Sequence, residues 1–380
     1  MFNFSNKIIF KSNGILTLGV EIELQLLDQD TLNLTPRANE LLDAGKFIKN
    51  LKQEFYLCTV EICTEKCDNV HQIKKDLKAS FSELVVLGND LGMSFSTTGC
   101  HPFSRYSDCV ITPSTRYDEL INRNQWLTRR MTVYGLHVHI GMKDGNECVR
   151  FNNFLLPFLS HFLAISSSSP FWQGEDTGLA SVRPTTYESM PTSGHPYEIS
   201  SWNEFESLYQ ALKKCNAINS LKDLWWDMRP SPGYGTLEVR VCDGCATLEG
   251  TMAVVAYIHL LVHWFNDNCG WFNQVQPCTG FLLRENKWRV IRYGLDAELV
   301  LNIDGKTSLV RDEIEMWLDI TKDYARKFGY EDYIKTLREI MKRGISSDRQ
   351  RAIFNKTNLI KEVARHNVRE FLNQSPIWNI

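Results

Sequence analysis

Ionisable side chains stand in four short segments of the sequence, and in three of these segments two of them lie two residues apart, a spacing that places both on one face of a β-strand. The residues are Glu21 with Glu23, Glu61, His137 with His139, and Glu238 with Arg240. If the segments adjoin in space, four carboxylates crowd together, which is unfavourable unless they are protonated or bridged by cations. Hard divalent cations take oxygen ligands, and Mg²⁺ commonly also holds substrate phosphates. Zinc fits less well, because nitrogen and sulfur ligands are few here.

Each of these segments alternates like a strand with one buried face. In residues 16–26, around Glu61, in residues 135–142 and in residues 236–242, apolar positions alternate with polar ones or glycine. A half-exposed antiparallel sheet whose polar face meets water is the simpler explanation. Against it, Lys and Ser are absent from the polar positions, and several glycines leave room for a closely approaching ligand. These glycines are Gly19, Gly135 and Gly141. Both interpretations stay open at this point.

The remaining chain is mostly helical in its spacing, and after about Leu309 only helical patterns follow. Residues 166–202 are the exception, since they are rich in Ser, Gly and Pro. A loop of that length is uncommon unless it is a lid or a binding loop. Strands joined by helices and long loops predict an α+β fold with an at least partly antiparallel sheet. We expect a catalytic core over residues 1–308, with 166–202 as its lid, and a helical section over residues 309–380 packed on that core.

The composition excludes several classes of protein. With 380 residues, 43% hydrophobic and 23% charged, the chain is typical of a globular protein. A formal net charge of −3 predicts binding to neither nucleic acid nor an anionic membrane. The 11 cysteines are odd in number and no basic, apolar leader is seen, so we expect reduced thiols in the cytoplasm. The longest apolar stretch, residues 251–265, contains two histidines, is shorter than the ~20 residues of a membrane span, and predicts a buried helix.

Several other functional motifs are incomplete. Residues 305–307 (GKT) lack the upstream glycine of a phosphate-binding loop, and residues 233–235 (GYG) do not complete a dinucleotide fingerprint. His259 and His263 have the spacing of a zinc protease, but Leu replaces the required Glu, which favours core histidines. Residues 242–245 form one C-x-x-C without a second pair. Nucleotide phosphates would therefore be held by metal ions and arginines.

The motifs, in this order, resemble those of the type 2 glutamate–cysteine ligase family, also called carboxylate–amine ligases, of the glutamine synthetase superfamily. The matching segments are residues 19–23, 35–40, 116–117, 135–141, 183–194, 236–240, 285–289 and 292–297. The resemblance runs from about residue 15 to 300 and is specific in combination. It implies a glutamine-synthetase-like catalytic domain with a largely antiparallel sheet. It also implies an ATP-dependent, ADP-forming ligase that makes an amide, such as a γ-glutamyl bond, through an acyl phosphate.

The resemblance also implies roles for residues. Those resembling metal ligands, for Mg²⁺ or alternatively Mn²⁺, are Glu21, Glu23, Glu61, His137 and Glu238. Arg240 resembles the arginine that contacts the transferring phosphate, and Arg183 would act beside it from the lid. His139 and Arg37 would contact substrate or nucleotide. For Arg183 and Arg37, a surface or loop salt bridge is the alternative. Residues 244–246 (GCA) depart from the family pattern, so the donor and acceptor substrates stay open.

The resemblance implies small-molecule partners only. These are a carboxylate-bearing amino acid, an amine and ATP, with homodimers as a family-level expectation. A related ligase that uses another amino acid or a peptide is one alternative. A catalytically silent homologue that binds a nucleotide or small molecule is another. All five predicted ligands are acidic or imidazole side chains. This argues against a silent homologue, because a decayed site would have lost some of them.

Overall fold

The computed structural model describes residues 7–270 and 280–379. The strands, numbered along the chain, are β1 (Leu18–Asp28), β2 (Leu51–Gln53), β3 (Thr59–Cys63), β4 (Met93–Ser96), β5 (Leu136–Gly141), β6 (Phe171–Trp172), β7 (Glu175–Asp176), β8 (Ser193–Gly194), β9 (Trp225–Trp226), β10 (Met228–Ser231), β11 (Thr236–Val239), β12 (Glu298–Val300) and β13 (Thr307–Leu309). The helices are α1 (Ala38–Ala44), α2 (Val70–Leu91), α3 (Thr115–Asn124), α4 (Trp126–Arg129), α5 (Gly145–Leu155), α6 (Leu159–Ser166), α7 (Arg183–Tyr187), α8 (Trp202–Lys214), α9 (Leu248–Asp267), α10 (Gly280–Tyr293), α11 (Val310–Ile320), α12 (Lys322–Phe328), α13 (Glu331–Arg343), α14 (Ser346–Thr357) and α15 (Ile360–Asn373).

The main sheet is built around β1. Its strand order is β10-β11-β5-β1-β3-β2, and every pairing in it is antiparallel. β1 is long enough to pair with β5 through its first half and with β4 through its second half along the same edge. The predicted α+β class with an antiparallel sheet is therefore confirmed, and all four segments predicted as strands are neighbours in one sheet.

The apolar face of this sheet forms the floor of the hydrophobic core. Its alternate residues are at most 2% exposed in β1, β3, β5 and β11. α2 and α9 pack against this face and against each other. α2 begins after Asn69, whose side chain accepts a hydrogen bond from the backbone N–H of Gln72, and ends at Gly92 in the left-handed conformation. Helices thus cover one face and leave the polar face for a site.

The chain after Leu309 is helical, as predicted. α13 packs on α9, α14 packs on α15, and α15 contacts β4. One hydrophobic cluster runs without interruption from Leu16 in the N-terminal part to Phe371 in α15. Residues 309–380 therefore share the core of the sheet, and the division into residues 1–308 and 309–380 stays a prediction about folding units.

Two helical stretches, Gly145–Ser166 and Leu248–Asp267, are apolar and long enough to cross a bilayer by composition alone. In each, however, 83% of the apolar window is buried inside the protein. Such burial is also what the core helix of a globular domain shows. The prediction of a buried helix over residues 251–265 is thus confirmed.

Residues 166–202 differ from the prediction of a loop without regular structure. They contain β6, β7, β8 and α7, and much of the segment is buried. The buried carboxylate of Asp243 accepts hydrogen bonds from the Ser168 N–H at 2.9 Å, the Ser169 hydroxyl at 2.7 Å and the Ser181 hydroxyl at 2.8 Å. Serines that suggest a solvated loop in the sequence here satisfy a buried charge, which spacing alone does not reveal.

The remaining histidine and cysteine predictions agree with the structure where it describes them. His259 is buried. Its Nδ1 lies 2.9 Å from the Tyr330 hydroxyl, and its Nε2 lies 3.0 Å from the Nε2 atom of His263. Both are core histidines of α9. Ten cysteines in the described residues, including the pair Cys242 and Cys245, are free thiols. Cys278 lies outside the described residues.

Candidate active site

Strand register brings the predicted ligands together on the polar face of the sheet. Glu23 of β1 lies opposite Glu61 of β3, and Glu21 lies opposite His137 of β5. On the far side of β5, Glu238 of β11 lies opposite His139. Since residues opposite each other in neighbouring strands point to the same side, their side chains meet above the sheet.

These side chains form three overlapping groups of donor atoms, and within each group all donors lie within 4.8 Å of one another. The groups are Glu21 with His137 and Glu238, Glu23 with Glu61 and His137, and Glu21 with Glu61 and Cys63. All five residues predicted as metal ligands belong to at least one group. Four carboxylates and one imidazole make a donor set for hard divalent cations.

Two buried imidazole nitrogens of the cavity lack hydrogen-bond partners among the described residues, namely Nε2 of His137 and Nε2 of His139. Their Nδ1 atoms are engaged, 3.3 Å from Glu21 Oε2 and 2.8 Å from the Thr236 hydroxyl. His139 Nε2 also lies 3.4 Å from Glu21 Oε1 without forming a hydrogen bond. Because a buried polar atom without a partner is costly, these nitrogens indicate a ligand or a cation at this site.

The carboxylates of the cluster differ in charge state. Burial, together with the charges of Glu21 and Glu54, holds the pKa of Glu61 well above its usual range. Burial and the charge of Glu54 raise the pKa of Glu23 to about 7. Burial also opposes ionisation of Glu21, but the adjacent imidazoles of His137 and His139 outweigh it and lower its pKa. The protein alone thus retains protons that bound cations would displace.

Glu238 is held between two arginines. Arg229 of β10 approaches its carboxylate with Nε at 2.9 Å and Nη2 at 3.3 Å, and Arg240 pairs with the same carboxylate. Burial raises the pKa of Glu238, but the Arg229 and Arg240 charges more than offset this, so its pKa lies well below its usual range. This group remains an anion at every pH at which the protein would work.

A cavity of about 460 Å³ opens above the cluster. Its wall is charged near the sheet and aromatic farther away. The charged and imidazole residues that line it are Glu21, Glu23, Lys52, Glu54, Glu61, Arg116, His137, His139, Arg183, Lys222, Arg229, Glu238 and Arg240. Its larger aromatic side chains are Phe55, Tyr56, Tyr117, Tyr187, Trp225, Trp226 and Tyr234. Every predicted site residue except Arg37 therefore lines one cavity.

Arg37 is placed elsewhere by the structure. Its guanidinium pairs with Glu40 at 2.7 Å and donates to the Leu91 carbonyl at 2.9 Å, and it is not part of the cavity wall. The Arg37 prediction rested on the segment 35–40 as a whole, and the residue lies at the start of α1, beyond the strand that carries the ligands. The surface salt bridge is the alternative that the structure favours.

Arg183 lies in the wall, buried to 5% exposure. Its Nη1 and Nη2 donate to the Val241 and Arg240 carbonyls at 3.3 Å, and its Nε has no partner among the described residues. A Cβ at Gly135 would come within 2.3 Å of Arg183 Nη2. That glycine therefore makes room for an arginine of the protein itself.

The other two glycines differ in the room that they leave. A Cβ at Gly141 would lie 2.3 Å from the carbonyl oxygen of Gly14, so the room there is taken by the N-terminal segment. At Gly19 the nearest atom to such a Cβ is 3.6 Å away, an ordinary contact, and Gly19 lines a neighbouring cavity with Glu21 and His139. At Gly135 and Gly141 the approaching groups therefore belong to the protein.

Residues 17–372 match the model of the family described as glutamate–cysteine ligase family 2. The chain belongs to this family. A Bdellovibrio bacteriovorus protein named "Putative glutamate--cysteine ligase 2" is 41% identical over 357 residues, which cover 94% of each chain. A Gloeobacter violaceus protein of the same name is 35% identical over 363 residues, covering 94% of this chain and 97% of that relative. The predicted family is confirmed.

Solved structures share the fold. The glutamate–cysteine ligase of Francisella tularensis in complex with AMP superposes with a TM-score of 0.66 at 13% identity, covering 97% of this chain and 90% of that one. A bifunctional glutathione synthetase from Pasteurella multocida gives 0.63 at 12% identity, covering 94% of this chain and 52% of that one. The predicted glutamine-synthetase-like fold of this family 2 member is thereby confirmed.

The charged wall residues that were given no role from the sequence of this family member are Lys52, Glu54, Arg116, Lys222 and Arg229. Glu54 lies between β2 and β3, and burial followed by the charge of Glu21 raises its pKa. Arg229 lies on β10 next to Pro230. β10 tolerates this proline because it is an edge strand. Neither Glu54 nor Arg229 lies in an alternating run, so spacing gave no signal for them.

Proposed function

We propose that the protein is an ATP-dependent ligase that joins a carboxylate to an amine and releases ADP and phosphate. The observation that carries this proposal is the convergence of four carboxylates, an imidazole and two arginines in one cavity above the sheet. Family membership supports the same conclusion. So does the AMP named for the Francisella enzyme of the same fold.

The donor set fits magnesium. The residues that would hold Mg²⁺, or Mn²⁺ in its place, are Glu21, Glu23, Glu61, His137 and Glu238. When bound, such ions would neutralise the charge of the phosphates and screen the incoming carboxylate. The orphaned Nε2 of His137 and the high pKa of Glu61 support this assignment, because both describe a site that is incomplete without a cation.

The arginines would act on the phosphoryl group in transfer. Arg240 lines the cavity and is anchored by Glu238, so its positive charge is oriented before substrate arrives. Preorganised charge of this kind contributes several kcal/mol to stabilising a transition state. Arg183 approaches the same cavity from α7, and its unpartnered Nε is a free donor for an anionic oxygen.

Amide formation follows from carboxylate activation. A carboxylate oxygen takes the γ-phosphoryl group of ATP, ADP leaves, and the resulting acyl phosphate carries a good leaving group. The lone pair of the amine then attacks the acyl carbon, the bond from that carbon to the phosphate oxygen breaks, and the amine loses a proton. The buried wall would exclude water, which otherwise hydrolyses the acyl phosphate.

The finer assignment is a γ-glutamyl bond, with glutamate as the carboxylate and cysteine as the amine. Its support is the family name alone, since residues 244–246 depart from the usual pattern near the site. His139 lines the cavity and would contact substrate or nucleotide. Small-molecule partners, a homodimer and a cytoplasmic location stay predictions, and the free thiols of the described cysteines are in keeping with a reducing compartment.

The decisive experiment measures ADP release with Mg·ATP across pairs of amino acids, with mass spectrometry of the product. We expect ADP, phosphate and amide in equal amounts for one or a few pairs, beginning with glutamate and cysteine. Calorimetry shows whether the protein binds Mg·ATP. Nucleotide binding without ADP release for any pair would favour the silent homologue, and absence of binding would refute the ligase.

A further inference from the structure

A second set of charged groups is buried beside the cavity but contains none of the proposed metal ligands. Lys287 of α10 is 3% exposed and its Nζ lies 2.5 Å from Oδ2 of Asp227, which is 1% exposed. The hydroxyl of Tyr187, at the end of α7, donates to Oδ1 of the same carboxylate at 2.5 Å. Glu188 also pairs with Lys287. Both carboxylate oxygens of Asp227 therefore have a partner, Oδ2 with Lys287 and Oδ1 with Tyr187.

Burying these charged groups costs desolvation free energy. An ion pair in a protein interior recovers its desolvation cost only when the geometry is excellent and the remaining lone pairs are satisfied. Apolar residues of similar size would serve the stability of the fold at least as well. Stability alone therefore does not explain the Lys287–Asp227 pair, and its contacts indicate what else it does.

The contacts lead to the two cavity arginines. The backbone N–H of Arg240 donates to the Asp227 carbonyl at 2.7 Å. The guanidinium carbon of Arg183 lies 5.1 Å from the ring centre of Tyr187, and Lys287 Nζ lies 5.4 Å from the same ring. Tyr187 lines the cavity, whereas Lys287 and Asp227 do not. Any effect of Lys287 on the cavity is thus transmitted through Tyr187 and Asp227.

Arg183 is confined from two directions. The ring of Tyr187 contacts its guanidinium on one side, and Gly135 leaves just enough room for its Nη2 on the other. Its backbone N–H bonds to the Ser169 hydroxyl at 3.2 Å. Nε is the one guanidinium nitrogen of Arg183 that has no partner among the described residues.

We propose that Lys287, Asp227 and Tyr187 form a positioning network that holds the guanidinium of Arg183 and the backbone of Arg240 at the orientation needed for phosphoryl transfer. Asp227 orients Tyr187, Lys287 neutralises Asp227, and the Tyr187 ring supports Arg183. The inference rests on the proposed ligase function for its kinetic consequences, but the position of Arg183 is measurable without any activity.

The kinetic test is a double-mutant cycle between Tyr187→Leu and Arg183→Ala. A displacement of about 1 Å can cost ~100-fold in rate. We expect Tyr187→Leu to lower kcat by about that factor with a small change in KM for ATP. In the Arg183→Ala background, Tyr187→Leu should change kcat less than threefold. Tyr187→Phe keeps the ring but loses the hydrogen bond to Asp227, so it should lower kcat, though by less than Tyr187→Leu. Additive losses in the cycle would overturn the proposal.

Tyr324→Phe is the matched control, because it removes another tyrosine–aspartate hydrogen bond, 2.9 Å long to Asp267, far from the cavity. It should leave kcat unchanged. Lys287→Met combined with Asp227→Asn removes both buried charges together and avoids an unpaired one. This pair should fold and still lose activity. Full activity in the folded pair would contradict a positioning role.

A crystal structure of the Tyr187→Leu variant tests the positioning network independently of the proposed ligase function. We expect the Arg183 guanidinium to shift by more than 1 Å while the sheet carboxylates stay in place. If the guanidinium does not move, the network does not position it, whatever the enzyme activity. If it moves but the wild-type protein releases no ADP with any substrate pair, the network stands and the ligase assignment fails.

Discussion

Glu238 has the most constrained carboxylate in the cavity, since two arginines and the strand on either side determine where it points. The common face of the five proposed ligands could be predicted at this scale because alternation in a strand dictates which side chains share a face. The positions of Glu54 and Arg229 could not, because neither lies in an alternating run. Arg37 lies outside the cavity wall, and a matching segment does not specify which side chain points into the cavity.

Substitution of Glu238 by Gln tests the cluster directly. The amide has the same shape but lacks the charge that balances Arg229 and Arg240 and that would bind a cation. We expect ADP release to fall by at least ~100-fold, a loss typical of removing one group that stabilises a transition state. Circular dichroism should show an unchanged fold. Glu298→Gln, an exposed glutamate of β12, is the control. Undiminished turnover would refute the assignment of Glu238.

Arg37→Ala tests the correction made by the structure. An exposed ion pair such as Arg37–Glu40 contributes about 0–1 kcal/mol, so the free energy of unfolding should change by no more than that. The KM for ATP should equal that of the wild-type protein in steady-state assays. A KM raised tenfold would return Arg37 to the nucleotide site.

At the scale of elements, strands with clear alternation were predictable and short elements were not. β1, β3, β5 and β11 each bury an apolar face, which leaves a period of two in the sequence. β6 to β9 have two residues each, too few to show any period. Residues 166–202 were expected to be a mobile lid for this reason. Arg183 and Tyr187 of this segment line the cavity, and the hydrogen bonds of Ser168, Ser169 and Ser181 to Asp243 favour a fixed wall there. The lid stays a prediction.

Asp243→Ala tests whether that wall is fixed. The substitution leaves the Ser168 N–H and the Ser169 and Ser181 hydroxyls without their acceptor. Removing one partner of a buried charged network costs about 3–5 kcal/mol. We expect that loss in denaturant unfolding, with faster hydrogen exchange across residues 167–183. Asp304→Ala, in an exposed turn, should change neither. Unaltered exchange in Asp243→Ala would support a mobile lid.

At the scale of the whole molecule, one hydrophobic core extends from the sheet to the last helix. Helical spacing after Leu309 could be predicted from the sequence. The contacts of these helices with α9 and β4 could not, because periodicity identifies a buried face but not the element that packs against it. The same core encloses His101, His161 and His259, and burial is the main cause that lowers the pKa of each to about 3.

These histidines predict that the fold is sensitive to acid. Between pH 6.5 and pH 3 the unfolded chain protonates them and the native state does not, so stability is fully present above pH 6.5 and falls as the pH is lowered. Each contributes a slope of about 1.4 kcal/mol per pH unit in that range. Unfolding in urea at several pH values should show a smaller slope for His161→Gln by that amount. Identical slopes would contradict the prediction.

The order of the strands along the chain also determines when the set of proposed metal ligands is completed. β1 carries the first two carboxylates, β3 the third, β5 the imidazole and β11 the last, so each neighbour must wait for a segment synthesised later. Pairings over more than a hundred residues form slowly. During translation, a ribosome-bound chain therefore exposes only part of the carboxylate cluster until Glu238 emerges. Cations available to the nascent chain would bind a site of lower affinity than the finished one.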